Sequence, residues 1–282
     1  MSVLRESMIK EAIDLAFRED IGDGDHSSLA CVPKDATNKA KLLVKEAGVL
    51  AGVEIAKTVF NNFGSFKFQQ FKNDGDKIEK GDVVFEVEGS AQGILSCERL
   101  ALNIMQRMSG IATYTQTLCK LIDGTNCKLL DTRKTTPNFR VFEKEAVRIG
   151  GGFNHRFALY DMIMLKDNHI DYAGGIEAAL NKTNQYLKDN NKDLKIEIEV
   201  RDFKELEEAL RVGGFQRVML DNFTPEDTVK ALSIIGRGYE TESSGGITEK
   251  TIRSYAETGV DYISVGALTH HVKSLDLSLK AF

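Results

Sequence analysis

The chain has 282 residues, of which 42% are hydrophobic and 28% are charged, and its formal net charge is -5. This composition is typical of a globular protein, and the acidic balance argues against nucleic acid as the main partner. No apolar run approaches the roughly 18 residues that a membrane span requires. The four cysteines show no CxxC pairing. We therefore expect reduced thiols in a cytoplasmic protein that binds neither nucleic acid nor membrane.

The first part of the chain predicts an N-terminal domain over residues 1–113 in which helices and sheet strands are mixed. Residues 4–18 have the apolar spacing of an amphipathic helix. Short apolar runs alternate with turn residues over 39–90, which predicts strands. A proline-free helical pattern over 94–122 then joins this domain to the next. Residues 1–20 or the C-terminus are the segments that we expect to pack back onto this domain.

The remainder of the chain, residues 114–282, predicts a second domain in which strands alternate with helices. Such alternation is typical of parallel strands with helical crossovers. Polar or glycine residues end successive strands, as in barrels whose active site lies at that face. Six strands are too few for a closed barrel of eight, so we predict a partial α/β barrel, with an open doubly wound sheet as the alternative. The predicted strands are 128–131, 162–165, 196–200, 218–220, 239–242 and 262–265.

Cationic side chains gather between short apolar runs in the stretch 131–169, although the chain as a whole is acidic. Convergent Arg and Lys side chains are what a small, multiply charged anion needs. Lys166 ends an apolar strand, so we expect its amine at the barrel mouth. The alternatives are a solvated surface pair at 133–134 and a structural role for His169. The candidate polar and cationic residues are Thr132, Arg133, Lys134, Arg140, Asn154, His155, Arg156 and Lys166.

Two carboxylates and two glycine-rich loops complete the candidate site. Glu199 and Asp221 lie at strand ends, where carboxylates can hold Mg²⁺ directly or through water and can bind ribose hydroxyls. Small residues after a strand and before a helix leave backbone N–H groups available to phosphate. Two such loops in succession predict a phosphate site. Its candidate residues are Ser244, Gly245, Gly246, Ser264, Gly266 and Ala267.

Taken together, these motifs resemble those of the carboxylating nicotinate-nucleotide pyrophosphorylases, also called quinolinate phosphoribosyltransferases. The resemblance spans nearly the whole chain. The combination of 131–135 with 154–156 and 166–169 at this spacing is highly specific to the family. The chain departs from the family pattern at 26–28 and in a loop that we expect near 181–195. The further motifs that carry the resemblance are 19–25, 98–99, 220–222, 242–246 and 265–269.

The resemblance implies a fold, a reaction and an assembly. The fold is an N-terminal α/β sandwich domain followed by a partial α/β barrel, paired head-to-tail in a homodimer or within a larger assembly such as a hexamer. The reaction transfers phosphoribose from phosphoribosyl pyrophosphate to quinolinate with loss of CO₂, giving nicotinate mononucleotide for NAD biosynthesis. The implied cofactor is Mg²⁺. The rivals are a paralogous phosphoribosyltransferase for nicotinate or another base, a related protein of molybdenum metabolism, and a non-catalytic phosphate-binding barrel.

The resemblance also implies a role for each candidate residue. Arg99 would reach into the partner subunit's site, and the two glycine-rich loops would hold the 5′-phosphate. Glu199 and Asp221 would hold ribose hydroxyls and Mg²⁺. The implied contacts to the two carboxylates of quinolinate are Arg133, Lys134, His155, Arg156 and Lys166. The predicted catalytic residues are Lys134, Lys166, Glu199 and Asp221.

Overall fold

The structure is a computed structural model that describes residues 3–282, so Met1 and Ser2 of the predicted first domain lie outside the described residues. The chain divides into two compact units. Unit 1 comprises the described residues up to Gln116, Lys134–Gly151 and Ala267–Phe282, and unit 2 comprises Thr117–Arg133 and Gly152–Gly266. The two units therefore interleave along the chain.

The helices and strands follow one another in an order that changes character after the longest helix. The helices are α1 (Val3–Ile21), α2 (His26–Cys31), α3 (Val53–Phe63), α4 (Ala91–Leu121), α5 (Arg140–Ile149), α6 (Asp167–Ala173), α7 (Ile176–Asp189), α8 (Phe203–Val212), α9 (Pro225–Ile235), α10 (Ile252–Ala256) and α11 (Ala267–His270). The strands are β1 (Thr37–Val44), β2 (Gly48–Val49), β3 (Lys67–Gln70), β4 (Lys77–Ile78), β5 (Val83–Ser90), β6 (Lys128–Leu130), β7 (Ile163–Leu165), β8 (Ile196–Val200), β9 (Arg217–Asp221), β10 (Glu240–Ser244), β11 (Tyr262–Ser264) and β12 (Leu277–Ala281).

Unit 1 is built on a four-stranded antiparallel sheet in the order β12-β1-β5-β3. Its buried side is filled by aromatic rings, with Phe68 and Phe85 at 4.4 Å and Phe60 at 6.3 Å from Phe85 between ring centroids. Such tilted and edge-on pairs add to the energy of burying the rings. The C-terminal strand β12 pairs with β1, placing Leu279 opposite Leu42. The last strand of the chain, β12, therefore forms one edge of the sheet that contains the first strand, β1.

Unit 2 is built on a six-stranded parallel sheet in the order β6-β11-β10-β9-β8-β7. All six predicted strands are present in it, within a few residues of their predicted bounds. The order ends at β6 on one side and at β7 on the other, and no ladder joins these two strands among residues 3–282. The sheet is therefore open, as the count of six strands predicted, and the α/β class is confirmed.

The two faces of the unit 2 sheet differ in polarity. Side chains alternate along a strand, so Ile196, Ile198 and Val200 of β8 enter the apolar core under α7, α8 and α9. Glu197 and Glu199 take the other face, and all five residues of β8 are buried. Buried parallel strands are usually apolar on both faces. Carboxylates on the inner face of such a strand therefore require charged partners.

Local signals explain where the helices of unit 2 begin. Asp202 caps α8 by accepting from the N–H of Glu205 at 2.8 Å, and Thr224 caps α9, which opens with Pro225. The loop expected near 181–195 is wrong in its first half, because α7 extends to Asp189. Its Ile176, Ala179 and Leu180 pack into the unit 2 core, and this burial stabilises the helix.

Among residues 3–282, no helix has the length and apolar character needed to cross a bilayer.

Candidate active site

The carboxyl ends of six parallel strands bring most of the predicted site residues to one edge of the unit 2 sheet. Parallel strands with right-handed crossovers place their C-terminal ends together, where loops carry the functional groups. Thr132 and Arg133 follow shortly after β6, and Lys166 follows β7 directly. The predicted site residues within unit 2 are Thr132, Arg133, His155, Arg156, Lys166, Glu199, Asp221, Ser244, Gly245, Gly246, Ser264 and Gly266.

Four predicted site residues belong to unit 1 instead, and one of them is Arg140, the first residue of α5. Arg99 is an exposed residue of α4, and Lys134 and Ala267 each begin a segment of unit 1. The chain leaves unit 2 directly after Arg133 and again directly after Gly266. Neighbouring residues of the predicted cation motif therefore belong to different units.

Lys166 and Glu199 form an ion pair, with Nζ at 3.2 Å from Oε2. Lys166 follows β7, which pairs with β8 in register, so the sheet itself sets this distance. The carboxylate is mostly buried and the amine is partly open to solvent. Burial raises the pKa of Glu199, the contact with Lys166 opposes that rise, and the charge of Asp221 adds to it.

The electrostatic coupling between Glu199 and Asp221 bears on the predicted metal. The two carboxylates come from neighbouring strands, and the negative charge of Asp221 makes Glu199 harder to ionise. A divalent cation relieves repulsion of this kind, and carboxylate oxygens are ligands that Mg²⁺ accepts. The residues present at this edge of the sheet therefore fit the predicted ion.

A carboxylate that the sequence did not single out organises the loop of His155. Asp131 is fully buried at the end of β6, and its Oδ1 accepts from the N–H of His155 at 2.9 Å. Its other oxygen accepts from the side-chain amide of Asn154 at 2.6 Å. These two bonds attach the 154–156 loop to the end of a strand. The signals in the sequence were the position of Asp131 at a predicted strand end and its place at the start of the 131–135 motif.

His155 lies between two buried carboxylates of the inner sheet face. Its Nε2 is 2.9 Å from Oε2 of Glu197 and 3.4 Å from Oε2 of Glu242. The N–H of Arg156 donates to Nδ1 at 2.7 Å, which favours the neutral ring. Burial lowers the pKa of His155, but the two carboxylates outweigh burial and raise this pKa to about 9.

A second cation completes this buried network. The guanidinium of Arg217 on β9 lies 3.3 Å from Glu242 and 3.9 Å from Glu197. Burial raises the pKa of Glu197 to about 7, and repulsion from Glu242 adds to the rise. Burial acts to raise the pKa of Glu242, but His155, Ser264 and Arg217 together hold it below its usual value. Each carboxylate thus shares the sheet face with a cation, as buried charges require.

The same histidine and glutamates have the spacing of a metal site, with one ligand atom of each within 4.8 Å of the others. Arg217 and the protonated His155 already supply two positive charges to the two carboxylates. A divalent cation placed there would add charge beside a buried guanidinium. We therefore interpret this group as an ion network of the sheet and keep Glu199 and Asp221 as the metal candidates.

The first glycine-rich loop makes a close approach that explains one of its glycines. Gly245 has φ of +101°, and a Cβ there would meet Oδ1 of Asn222 at 2.2 Å and its backbone nitrogen at 2.9 Å. Asn222 in turn donates from its N–H to the carbonyl of Ser244 at 2.8 Å. The loops after β9 and β10 are therefore packed together, and only glycine fits at 245.

Gly150, the residue that follows α5, has a role in helix packing. A Cβ at Gly150 would lie 2.5 Å from the carbonyl oxygen of Ala112 on α4. Both residues belong to unit 1. The absence of a side chain at Gly150 therefore lets the end of α5 approach α4 closely.

Comparisons with known proteins agree with the fold and with the motifs. Residues 25–109 match the family profile described as the N-terminal domain of quinolinate phosphoribosyl transferase, and residues 111–280 match that of its C-terminal domain. A tobacco (Nicotiana tabacum) protein, quinolinate phosphoribosyltransferase [decarboxylating] 1b, is 43% identical over 96% of this chain and 82% of its own length. A Bacillus subtilis protein, probable nicotinate-nucleotide pyrophosphorylase [carboxylating], is 41% identical over 96% and 92%.

A solved structure gives the same result in three dimensions. NadC from Streptococcus pyogenes superposes with a TM-score of 0.90 at 42% identity, covering 96% of this chain and 95% of that one. The two chains therefore share both their sequence motifs and their fold over nearly their full lengths. The chain therefore belongs to the quinolinate phosphoribosyltransferase family.

Proposed function

We propose that the protein transfers phosphoribose from phosphoribosyl pyrophosphate to quinolinate and releases CO₂, giving nicotinate mononucleotide and pyrophosphate. The observation that carries this proposal is the Lys166–Glu199 pair at the carboxyl edge of the parallel sheet. In this pair, Lys166 is a cation that can bind a carboxylate of the pyridine ring. Glu199 is a carboxylate that can accept hydrogen bonds from ribose hydroxyls. The family membership of the chain supports the same reaction.

The predicted cations match the charge of the substrates. Quinolinate carries two carboxylates and phosphoribosyl pyrophosphate carries several more negative charges, so a site for both needs converging Arg and Lys side chains. A monocarboxylate such as nicotinate needs fewer cations, which favours the dicarboxylate. The residues proposed to contact quinolinate are Arg133, Lys134, His155, Arg156 and Lys166.

The ribose and phosphate contacts come from the later strands. Glu199 and Asp221 hold ribose hydroxyls, and Thr132 lies at the start of the cation group as a further substrate contact. The loops after β10 and β11 supply backbone N–H groups for the 5′-phosphate. The proposed loop contacts are Ser244, Gly245, Gly246, Ser264, Gly266 and Ala267.

Glu199 and Asp221 also hold Mg²⁺ in this proposal, directly or through water and substrate. When bound, the ion neutralises negative charge on the pyrophosphate leaving group. The repulsion between the two carboxylates supports this assignment. The chain's own part is to present these oxygens at the strand ends and to keep Lys166 beside one of them.

The chemistry requires positioning and charge more than proton transfer. The quinolinate nitrogen forms a bond to the ribose carbon as the bond to pyrophosphate breaks, and positive charge develops on the ribose. Glu199 and Asp221 stabilise that charge electrostatically. The neighbouring carboxylate then leaves as CO₂, because the pyridinium nitrogen stabilises the electron pair left on the ring carbon, which takes a proton from water. No side chain is required as a general acid or base.

The proposed assembly is a homodimer in which Arg99 enters the neighbouring site. Mixing inactive Arg99→Ala and Lys166→Ala chains tests it, since a hybrid dimer has one intact site and one with both defects. Random exchange of subunits is expected to restore about a quarter of the unaltered activity. Arg5→Ala mixed with Lys166→Ala is the control for dilution by an inactive chain, and it is expected to keep about half of the unaltered activity whether or not subunits exchange, so formation of hybrids is checked by co-purification through a tag on one chain. Mixtures of the first pair that stay inactive would place Arg99 in its own subunit's site or outside any site.

The test of the reaction is incubation with quinolinate, phosphoribosyl pyrophosphate and Mg²⁺, with CO₂ and nicotinate mononucleotide as the measured products. Both products are expected in equal amounts. The rival is a phosphoribosyltransferase for nicotinate, which would give the same mononucleotide without CO₂. Consumption of nicotinate with no turnover of quinolinate would make the quinolinate assignment wrong.

A further inference from the structure

Residues 134–136, which follow the predicted cation Arg133, lie outside all helices and strands of the described chain. Such a segment has no backbone ladder to hold it, so its position depends on side chains that bond to it. Lys134, a proposed catalytic residue, is the first of the three. What fixes this segment therefore bears on where the Lys134 amine can reach.

Glu143 bonds to one end of the segment through both of its oxygens. Its Oε2 accepts from the N–H of Thr136 at 3.0 Å, and its Oε1 accepts from the Thr136 hydroxyl at 2.9 Å. Glu143 lies in the first turn of α5 and its side chain is 0% exposed. A buried carboxylate with two directed bonds to one residue fixes both the position and the orientation of that residue.

Thr269 bonds to the other end of the segment. Its hydroxyl donates to the carbonyl oxygen of Lys134 at 2.8 Å, and it is fully buried. A fourth bond reaches the middle of the segment, where Nε of Arg140 donates to the hydroxyl of Thr135 at 2.9 Å. Each of the three residues thus has a contact of its own.

Arg107 on α4 connects the two ends. Its Nε and Nη2 donate to Oε1 of Glu143 at 3.1 and 2.9 Å, and its Nη2 also donates to the carbonyl of Thr269. A closed circuit of hydrogen bonds therefore runs from Lys134 through Thr269, Arg107 and Glu143 to Thr136. All of these residues belong to unit 1.

We propose that Glu143 is a positioning residue that, with Arg107 and Thr269, holds the 134–136 segment so that Lys134 meets the substrate carboxylate. The inference rests on the proposed function in one respect, the role of Lys134. A buried ion pair alone is weak support for stability, because apolar residues of similar volume often stabilise as well. Its directed bonds to Thr136, which apolar residues would lack, are what a site on irregular backbone needs.

The kinetic test uses Thr136→Val, which removes the hydroxyl bond to Glu143 and keeps the shape of the side chain. One hydrogen bond to a charged group corresponds to about a tenfold change, so the KM for quinolinate is expected to rise about tenfold. The KM for phosphoribosyl pyrophosphate and the melting temperature are expected to stay near those of the unaltered protein. The matched control is Thr58→Val, whose exposed hydroxyl donates to the carbonyl of Glu54 within α3.

The decisive comparison repeats Thr136→Val in a Lys134→Ala background. If Glu143 and Thr136 act through Lys134, the second change is expected to alter quinolinate kinetics less than about twofold, because coupled residues are not additive. A tenfold loss in both backgrounds would overturn the proposal and leave a structural role. Unchanged kinetics in Thr136→Val with the native Lys134 would overturn it as well.

Hydrogen exchange gives a readout that needs no substrate. In Glu143→Gln, the amide of Thr136 is expected to exchange at least about tenfold faster than in the unaltered protein, because the acceptor loses its charge. Equal exchange rates would overturn the proposal even if the enzyme is active. Failure of the proposed function appears differently, as an unaltered protein that makes no product from quinolinate, and this inference would fall with it.

Discussion

The Nζ atom of Lys166 lies 3.2 Å from Oε2 of Glu199, so a predicted quinolinate cation and a predicted ribose carboxylate are joined across neighbouring strands. The pair connects the two halves of the proposed site without any substrate. A carboxylate that is already paired costs less to bury than a lone one. We expect the Lys166–Glu199 ion pair to be replaced when substrate and Mg²⁺ bind. The amine of Lys166 would then contact quinolinate, and the carboxylate of Glu199 would contact the ribose.

Glu199→Gln tests this relationship. The amide keeps the shape of the side chain but removes the charge that pairs with Lys166 and that, in the proposed reaction, stabilises the positive charge on ribose. We expect kcat/KM for phosphoribosyl pyrophosphate to fall about 10²-fold, with a smaller change in the KM for quinolinate. Glu257→Gln is the control, since that carboxylate pairs with Arg253 on the surface of α10. Equal activity of Glu199→Gln and the control would remove Glu199 from the catalytic set.

Gly245→Ala and Gly246→Ala form a matched pair in the proposed phosphate loop. Both glycines have positive φ, at +101° and +60°, but only a Cβ at 245 would collide with Asn222. We expect Gly246→Ala to lower the free energy of unfolding by about 1–2 kcal/mol. Gly245→Ala is expected to lower it by about 1–3 kcal/mol more, because the neighbouring loop must move. Urea unfolding measures both, and equal losses would contradict the close approach.

Asp131→Ala removes the two bonds that hold the loop of His155. The buried N–H of His155 loses its acceptor, and we expect the free energy of unfolding to fall by about 2–4 kcal/mol. Asp131→Asn keeps one acceptor and is expected to lose less. Asp123→Ala, which removes an exposed acceptor for the N–H of Gly124, is the control and is expected to change little. A destabilisation by Asp131→Ala no larger than that of the control would show that the loop is held by other contacts.

The buried network around His155 makes stability depend on pH. The folded pKa of His155 is about 9 against 6.5 for the free side chain, so its contribution is complete below pH 6.5 and is lost as pH rises toward 9. The folded pKa of Glu197 is raised from 4.5 to about 7, so this group lowers the free energy of unfolding as pH rises from 4.5 to 7, and the loss is complete above pH 7. Its effect has the same sign as that of His155. The free energy of unfolding is therefore expected to decrease as pH rises from 6.5 to 9. In His155→Gln the decrease over this range is expected to be shallower, and the same slope in both proteins would contradict the assignment.

The helices of unit 2 show how much local sequence can predict. Helix α9 has its start and stop signals in the local sequence, because Thr224 caps it, Pro225 opens it and Gly236 follows its last residue. Residues 181–189 were predicted within a loop, although they form the second part of α7. Their polar exposed face hid the few apolar residues that pack into the core, and packing stabilised the helix.

The candidate site divides in the same way. Glu199, Asp221 and Lys166 could be named from the sequence because a strand end is a local pattern and parallel strands end at one edge. The partners of His155 could not, since Glu197, Arg217 and Glu242 come from three different strands. Glu197 shares a strand face with Glu199, and the cations close to it are Arg217 and His155. The cation it meets depends on strand register.

The order of strands and helices, the class of the fold and the chemistry at each strand end follow from the sequence, because periodicity, caps and turn residues act over a few neighbours. Tertiary structure decided the contacts that depend on the return of distant segments. It brought β12 beside β1, Thr269 to the carbonyl of Lys134, and His155 to the carboxylates of Glu197 and Glu242. These contacts join residues that are far apart in the chain, and their formation depends on packing and register, which no local pattern records.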